Sequence, residues 1–182
     1  MPTEKRFKKA YSLLDKVTPL AGDCGLICGR KCCTEWEKGA GMYLLPGEEV
    51  MFTRDEDWLR WEVHSTKDYE FCPAWNGEFF FVVCTKPCPR QIRPFACRTF
   101  PLAPYLTPRG QLTMLLDENG ILICPLVQAG RLARLQPDFI EAAREAWSVL
   151  LKDDFIWADV EWQSRERDRA NTDVWTRLFR RG

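Results

Sequence analysis

Residues 23–33 read DCGLICGRKCC, and residues 84–102 read CTKPCPRQIRPFACRTFPL. These two stretches hold most of the chain's nine cysteines, against a single histidine. Thiolate is a soft ligand that suits zinc and iron-sulphur clusters, whereas catalytic zinc, copper and non-haem iron sites usually recruit imidazole or carboxylate. The sequence therefore predicts an all-cysteine metal site, around which the middle of the chain folds.

Clustered cysteines have two other common explanations, a disulfide framework or single thiols packed in a core as small hydrophobic groups. The amino-terminal residues MPTEKRFKKAYSLLDK are charged from Glu4 onward and contain no apolar signal segment. This pattern predicts a cytoplasmic protein. Because disulfides are rare in a reducing compartment, we favour metal ligands or redox centres.

Length and composition predict a single domain over residues 1–182. The chain is 46% hydrophobic and 29% charged, which is ordinary for a globular protein with a sizeable core. Its 26 Lys and Arg residues balance 26 Asp and Glu residues, so no net basic charge indicates a nucleic-acid partner. No apolar run approaches the roughly 20 residues that span a bilayer, which argues against a membrane protein. Nothing in the sequence indicates an oligomeric state.

The periodicity predicts an α+β fold with an amino-terminal helix, an irregular cysteine-rich centre over 22–127 and a helical carboxyl-terminal region over 137–180. The first helix is expected over residues 3–17, and two later helices are expected from Pro137 and over 155–167. The last residues, TDVWTRLFRR, fit either a closing helix or a partner-binding tail. Aromatic and β-branched residues predict strands at 43–45, 58–63, 79–83, 112–116 and 121–124, the last two joined by a hairpin turn at 117–120, and a helical turn from Glu48.

The spacing of the first cysteine group indicates a loop wrapped round a metal. Cys24, Cys28 and Cys32 are each separated by three residues, and the intervening glycines favour irregular backbone over a helix. Cys33 follows Cys32 directly, and adjacent residues point in different directions, so the pair favours two metal centres over one. The chain contains no Cys-x-x-Cys, which argues against thioredoxin-like chemistry.

Basic residues accompany both cysteine groups. Eight thiolates with two zinc ions or two cubane clusters would carry a net charge of roughly −4, which nearby cations can offset. The candidates are Arg30, Lys31, Lys86, Arg90, Arg93 and Arg98. Solvation of a charged loop is the simpler explanation for any one of them.

The segment Arg93-Pro94-Phe95-Ala96-Cys97-Arg98-Thr99-Phe100-Pro101, preceded by Cys88 and followed by Cys124-Pro125, resembles the YkgJ-type cysteine-cluster family, also described as a zinc- or iron-chelating domain. The resemblance covers residues 22–127 and includes the Cys-Cys pair at 32–33. The first group departs from the family's usual spacing by one extra residue in each gap. Larger relatives, among them flagellin lysine methylases, are associated with an iron-sulphur cluster and methyl transfer.

The resemblance implies a set of eight metal ligands, with Arg93 and Arg98 beside them. The implied ligands are Cys24, Cys28, Cys32, Cys33, Cys72, Cys88, Cys97 and Cys124, with Cys84 as a possible substitute for Cys72 or Cys88. We expect a 4Fe-4S cluster serving electron transfer, cluster handling or an accessory step in protein modification, and hence a protein partner. The alternatives are a structural zinc module and a methyl-transfer enzyme that uses S-adenosylmethionine.

Other candidates for chemistry are weaker. His64 lies in a predicted strand, where a satisfied or exposed histidine is commoner than a metal ligand. Trp58, Trp61, Trp147 and Trp157 lie in patterned elements and are expected to pack in or beside the core. Whether the chain is an enzyme is left open by the sequence.

Overall fold

Helices occupy the two ends of the chain and short antiparallel strands occupy its middle, which confirms the predicted α+β class. The computed structural model describes residues 3–22, 24–34, 41–128 and 135–179, and for residues 33, 34, 119, 122 and 172–179 it describes the backbone alone. No helix within these ranges is long and apolar enough to cross a membrane.

Three long helices frame the fold. The first, α1, spans Thr3–Leu13 and confirms the predicted amino-terminal helix, although it ends four residues before the predicted boundary. Helix α6 spans Pro137–Leu150 with its proline in the first turn, as predicted, and α7 spans Asp154–Phe179. The helix predicted over 155–167 thus continues as far as Phe179, within the stretch for which the sequence left a closing helix or a tail open. The short helices are α2 (Gly25–Cys28), α3 (Lys31–Thr34), α4 (Phe95–Thr99) and α5 (Pro125–Gln128).

The strands form two small sheets. In the first, β3 (Glu78–Cys84) lies between β1 (Met42–Tyr43) and β2 (Leu59–Ser65), and all pairs are antiparallel. The register pairs Trp61 with Val82 and Leu59 with Cys84. These strands confirm the predictions at 43–45, 58–63 and 79–83 to within two residues at their ends. Single turns of 3-10 helix cover Glu48–Met51, Arg90–Ile92 and Glu118–Leu122.

The predicted hairpin at 117–120 is wrong. Strand β5 (Leu112–Leu116) is present as predicted, but its partner is β4 (Leu102–Leu106), and the chain turns between them at Gly110, with φ 73°. Residues 121–124 form no strand, because the chain after β5 enters a 3-10 turn. Gly120 is needed there for close approach, since a Cβ would stand 2.8 Å from Val127 and 2.9 Å from Phe100.

The predicted loop through the first cysteine group is also wrong in part. It contains two helical turns, α2 and α3, interrupted where Gly29 and Arg30 both adopt left-handed backbone, with φ 63° and 59°. Glycine at the end of a helix favours this conformation because it has no Cβ to clash. The glycines thus break the helix into two turns and do not abolish it.

Two apolar cores hold these elements together. The larger one packs α1, α4, the β4–β5 hairpin, α6 and α7 around fully buried side chains such as Phe7, Phe95 and Phe139. The smaller one lies against the three-stranded sheet and includes Leu44, Trp58 and Val82, with Cys84 and Cys88 packed on its edge. Helix α4 contributes Phe95 to the larger core, and Cys97 on the same helix contacts Met42, which packs against the smaller core.

Candidate metal centre

Five cysteines from three separate parts of the chain line one cavity. Two of these parts are the first cysteine group and the Arg-Pro segment, which the fold therefore brings together. The third is the start of α5. The enclosed space is about 60 Å³, several times the roughly 10–15 Å³ that one water needs. The five lining cysteines are Cys24, Cys28, Cys32, Cys97 and Cys124.

The two short helices place the first three of these thiols. Cys24 immediately precedes α2 and Cys28 ends it, so the two are four residues apart and share one face of the turn. The Cys28 thiol lies 3.9 Å from the carbonyl oxygen of Cys24. The left-handed residues after α2 then redirect the chain, and Cys32 enters the cavity from α3.

Helix α4 places Cys97, and a buried carboxylate fixes the start of that helix. Glu48 is 1% exposed, and its Oε1 accepts a hydrogen bond of 2.6 Å from the Phe95 backbone N–H. The same oxygen accepts one of 2.7 Å from the Tyr11 hydroxyl, and Oε2 accepts one of 2.9 Å from the Leu45 N–H. The Cys97 sulphur lies 3.2 Å from Met42 Sδ on β1.

Cys84 and Cys88 form a second group next to Cys97. Their thiols hydrogen-bond to each other, and this bond together with burial raises the pKa of Cys84. Both residues pack against the smaller core at the end of β3. The structure thus gives Cys84, the predicted substitute ligand, a place beside Cys88 and Cys97.

Burial is the main cause of the raised pKa values of Cys97 and Cys124. Burial and, less strongly, the neighbouring Cys88 raise the pKa of Cys97 to about 12, while the positive charge of Arg93 opposes the rise. Burial also raises the pKa of Cys124, against the hydrogen bonds from the backbone N–H groups of Val127 and Leu126. Cys28, Cys84, Cys97 and Cys124 are thiols outside any disulfide.

The two predicted arginines have different surroundings. Arg93 lines the thiol cavity together with Arg90, whose guanidinium also donates to the Val17 carbonyl oxygen. Arg98 does not line the thiol cavity; its side chain is 1% exposed and bonded to Asp15. It sits one residue after Cys97 on α4, and the next position on a helix points to a different face.

The remaining candidate residues from the sequence are Cys72, Cys33 and His64. Cys72 is 3% exposed and lines a different cavity, so its expected place among the ligands is corrected. Cys33 lies on α3, but its side chain is not among those described. His64 is satisfied, as predicted: Nδ1 lies 2.7 Å from the Tyr43 hydroxyl oxygen and Nε2 lies 3.3 Å from Glu62 Oε2.

The donor set around the cavity fits a soft metal. Among the described residues that line it, the side chains of the types that commonly bind metals are all cysteines. Cysteine ligands are typical of structural zinc and of iron-sulphur clusters. Within residues 3–22, 24–34, 41–128 and 135–179, no three His, Cys, Asp or Glu side chains are arranged to hold one metal ion. The thiols surround the space and do not converge on a single point.

No family model, curated protein or solved structure matches the chain.

Two residues that shape the site were missed by sequence reasoning. Glu48 follows a Pro-Gly turn, where an acidic residue normally indicates an exposed loop, and nothing nearby signals that it is buried. Met42 reads as one apolar residue of a short strand, and only the fold brings it to Cys97. Both contacts join segments far apart in the chain, which local patterns do not report.

Proposed function

We propose that this chain is a cysteine-cluster metal protein that holds a 4Fe-4S cluster between its two cysteine groups. The observation that carries the proposal is the cavity lined by five thiols from three segments of the chain. Residues so far apart would be held together by a metal bound among them, since such sites couple binding to folding. When bound, the cluster would supply one-electron transfer.

Two features favour a cluster over a single zinc ion. A structural zinc draws four ligands onto one point, whereas the described thiols surround a space without converging on one point. Arg90 and Arg93 place positive charge at the cavity wall, where it would stabilise a cluster of variable negative charge. Cys28, Cys32, Cys97 and Cys124 are the ligands we assign to the cluster, with Cys24 beside them.

The exposed side of the cavity supports a role with a protein partner. Leu26 and Ile27 on α2 are 78% and 70% exposed, and Ile27 also lines the cavity. Large exposed apolar side chains beside a site are typical of docking surfaces. We therefore assign the protein to electron transfer, cluster handling or an accessory step in modifying another protein.

The family and the cellular location are proposed from the sequence. The segment from Arg93 to Pro101, with Cys88 and Cys124, supports membership of the YkgJ-type cysteine-cluster family and a cytoplasmic location. Methyl transfer from S-adenosylmethionine stays a hypothesis that rests on the larger relatives of that family.

A zinc-binding structural module is the alternative, and one observation favours it. Apart from Cys72, the described thiols divide into two groups, with Cys84 and Cys88 next to Cys97 and with Cys24, Cys28, Cys32 and Cys124 near α2 and α5. Two groups could serve two tetrahedral zinc ions.

Metal analysis with a matched pair of variants tests the proposal. Protein purified without oxygen should be brown and should hold iron and acid-labile sulphide in a fixed ratio to the chain. Cys97→Ser should lose both, whereas Cys72→Ser, the same change in a separate cavity, should keep both. Colourless protein with stoichiometric zinc after expression with iron supplied would replace the cluster by the zinc alternative. Equal metal content in the two variants would remove Cys97 from the centre.

A further inference from the structure

A second and larger cavity, of about 290 Å³, adjoins α4 on a different side of that helix from Cys97. It is lined there by Ala96 and Thr99. Its other walls come from β1, the segment before β3, β4, α6 and α7. This volume is near the lower end of the range for small-molecule sites, roughly 300–1,000 Å³.

The wall of this cavity combines aromatic rings with acidic groups. Among the described residues that line it are three carboxylates, Glu70, Asp117 and Asp159, and no Lys, Arg or His. The face of an aromatic ring attracts cations, and a nearby carboxylate adds to that attraction. The lining aromatic residues are Tyr43, Phe71, Trp75, Trp147 and Trp162.

Asp159 is the innermost of these acids. It lies on α7, is 6% exposed, and accepts a hydrogen bond of 2.8 Å from the neutral amide of Gln163. Burial raises its pKa to about 6, against the effect of that hydrogen bond. A carboxylate is costly to bury without a cationic partner, and a bound cation would remove that cost.

We propose that this cavity binds a small organic ammonium ion. Asp159 pairs with the ammonium group, and the aromatic side chains of the cavity wall lie around it. This proposal is independent of the metal centre, since the two cavities share no lining residue.

Choline and 3,3-dimethylbutan-1-ol test the role of the charge, because they have nearly the same shape and hydroxyl and differ in charge. Isothermal titration calorimetry of the full metal-loaded chain should give binding of choline at least about tenfold tighter than binding of the neutral alcohol. Equal affinity for choline and the alcohol, or no heat from choline, would overturn the proposal without any variant being needed.

Variants then locate the site. Asp159→Asn should weaken choline binding by about tenfold or more, since a hydrogen bond to a charged partner is lost. Asp154→Asn, a matched change at an exposed position of the same helix, should leave the affinity unchanged. Choline binding that survives Asp159→Asn in a folded protein would show that the ligand sits elsewhere and would refute the assignment.

Discussion

Arg98 donates a hydrogen bond of 2.6 Å to Asp15 Oδ1 from a side chain that is only 1% exposed. Its guanidinium also donates to the carbonyl oxygens of Gln91, at 2.7 Å, and Tyr11, at 3.0 Å, and its central carbon lies 4.8 Å from the Tyr11 ring centroid. A planar group with five donors suits this arrangement, and an ammonium group does not. Arg98 thus binds α4, which carries Cys97, to the end of α1.

We expect Arg98→Ala to lower the free energy of unfolding by about 2–4 kcal/mol, because it leaves buried carbonyl oxygens without donors. Urea denaturation of the metal-loaded protein measures this change. Arg144→Ala serves as the control, since Arg144 pairs with exposed Glu141 and its loss should change the stability far less. A loss for Arg98→Ala no larger than that of the control would contradict its structural role.

Arg93→Gln should leave the fold intact and move the reduction potential of the proposed cluster to more negative values. The reason is electrostatic, because removing a positive charge beside thiolates makes the added electron less favourable. Protein-film voltammetry on Arg93→Gln and on Lys86→Gln compares a cation at the cavity with one that pairs with exposed Asp57. Identical potentials in the two variants would count against Arg93 as a tuning residue.

Removal of the proposed metal should loosen the cysteine-rich part of the chain more than α6. Thiolate sites of this kind contribute on the order of 10 kcal/mol to folding, and α2, α3 and α5 are too short to be stable alone. Hydrogen exchange before and after chelation should show lost protection in these short helices and in α4, with smaller changes in α6. An unchanged exchange pattern and an unchanged Tm after verified metal loss would argue that the fold does not depend on the metal.

Asp159 should make the protein more stable as the pH falls from about 6 towards 4. Its pKa in the folded chain, about 6, exceeds the ordinary value of 3.8, so the folded state binds more protons in this window. At 1.36 kcal/mol per pH unit, the buried charge costs about 3 kcal/mol at neutral pH. Asp159→Asn should therefore be more stable than the native chain at pH 7.5, and the difference should shrink at pH 4.5. Chemical denaturation at both values measures it, and a difference that does not change with pH would refute the shifted titration.

Long elements with clear periodicity were predictable from the sequence. The apolar stripe of α1 and the proline at the start of α6 depend on residues within a few positions of one another, and both helices were found. Strand β4 was missed because Pro104 interrupts its pattern. A proline is acceptable in a hairpin strand because it can occupy a position whose N–H is not needed by the ladder. The far edge of that strand is covered by α7, where Ser164 Oγ accepts the Leu106 N–H at 2.9 Å.

The residue types at the candidate site were predictable, but their grouping was not. Cysteine content indicated soft-metal chemistry, and Cys28 and Cys97 do line one cavity. The spacing could not show which of Cys72 and Cys84 joins the other thiols, because that depends on how each segment packs against α4. Cys84 ends β3 beside Cys88, while Cys72 lines the second cavity together with residues of α7. Nothing in the sequence indicated that Asp159 is buried, since an acidic residue in a helix of charged residues normally faces water.

The carboxylate of Glu48 accepts hydrogen bonds from the Tyr11 hydroxyl, the Leu45 N–H and the Phe95 N–H. It therefore connects α1 and the Pro46 turn to α4, the helix that carries Cys97. Homologous chains that keep every cysteine but alter Tyr11 or Glu48 would therefore present the same ligands at different positions. Divergence in reactivity among such proteins should accordingly track substitutions in their cysteine-free first helix. A comparison restricted to the cysteine motif would group together proteins whose centres behave differently.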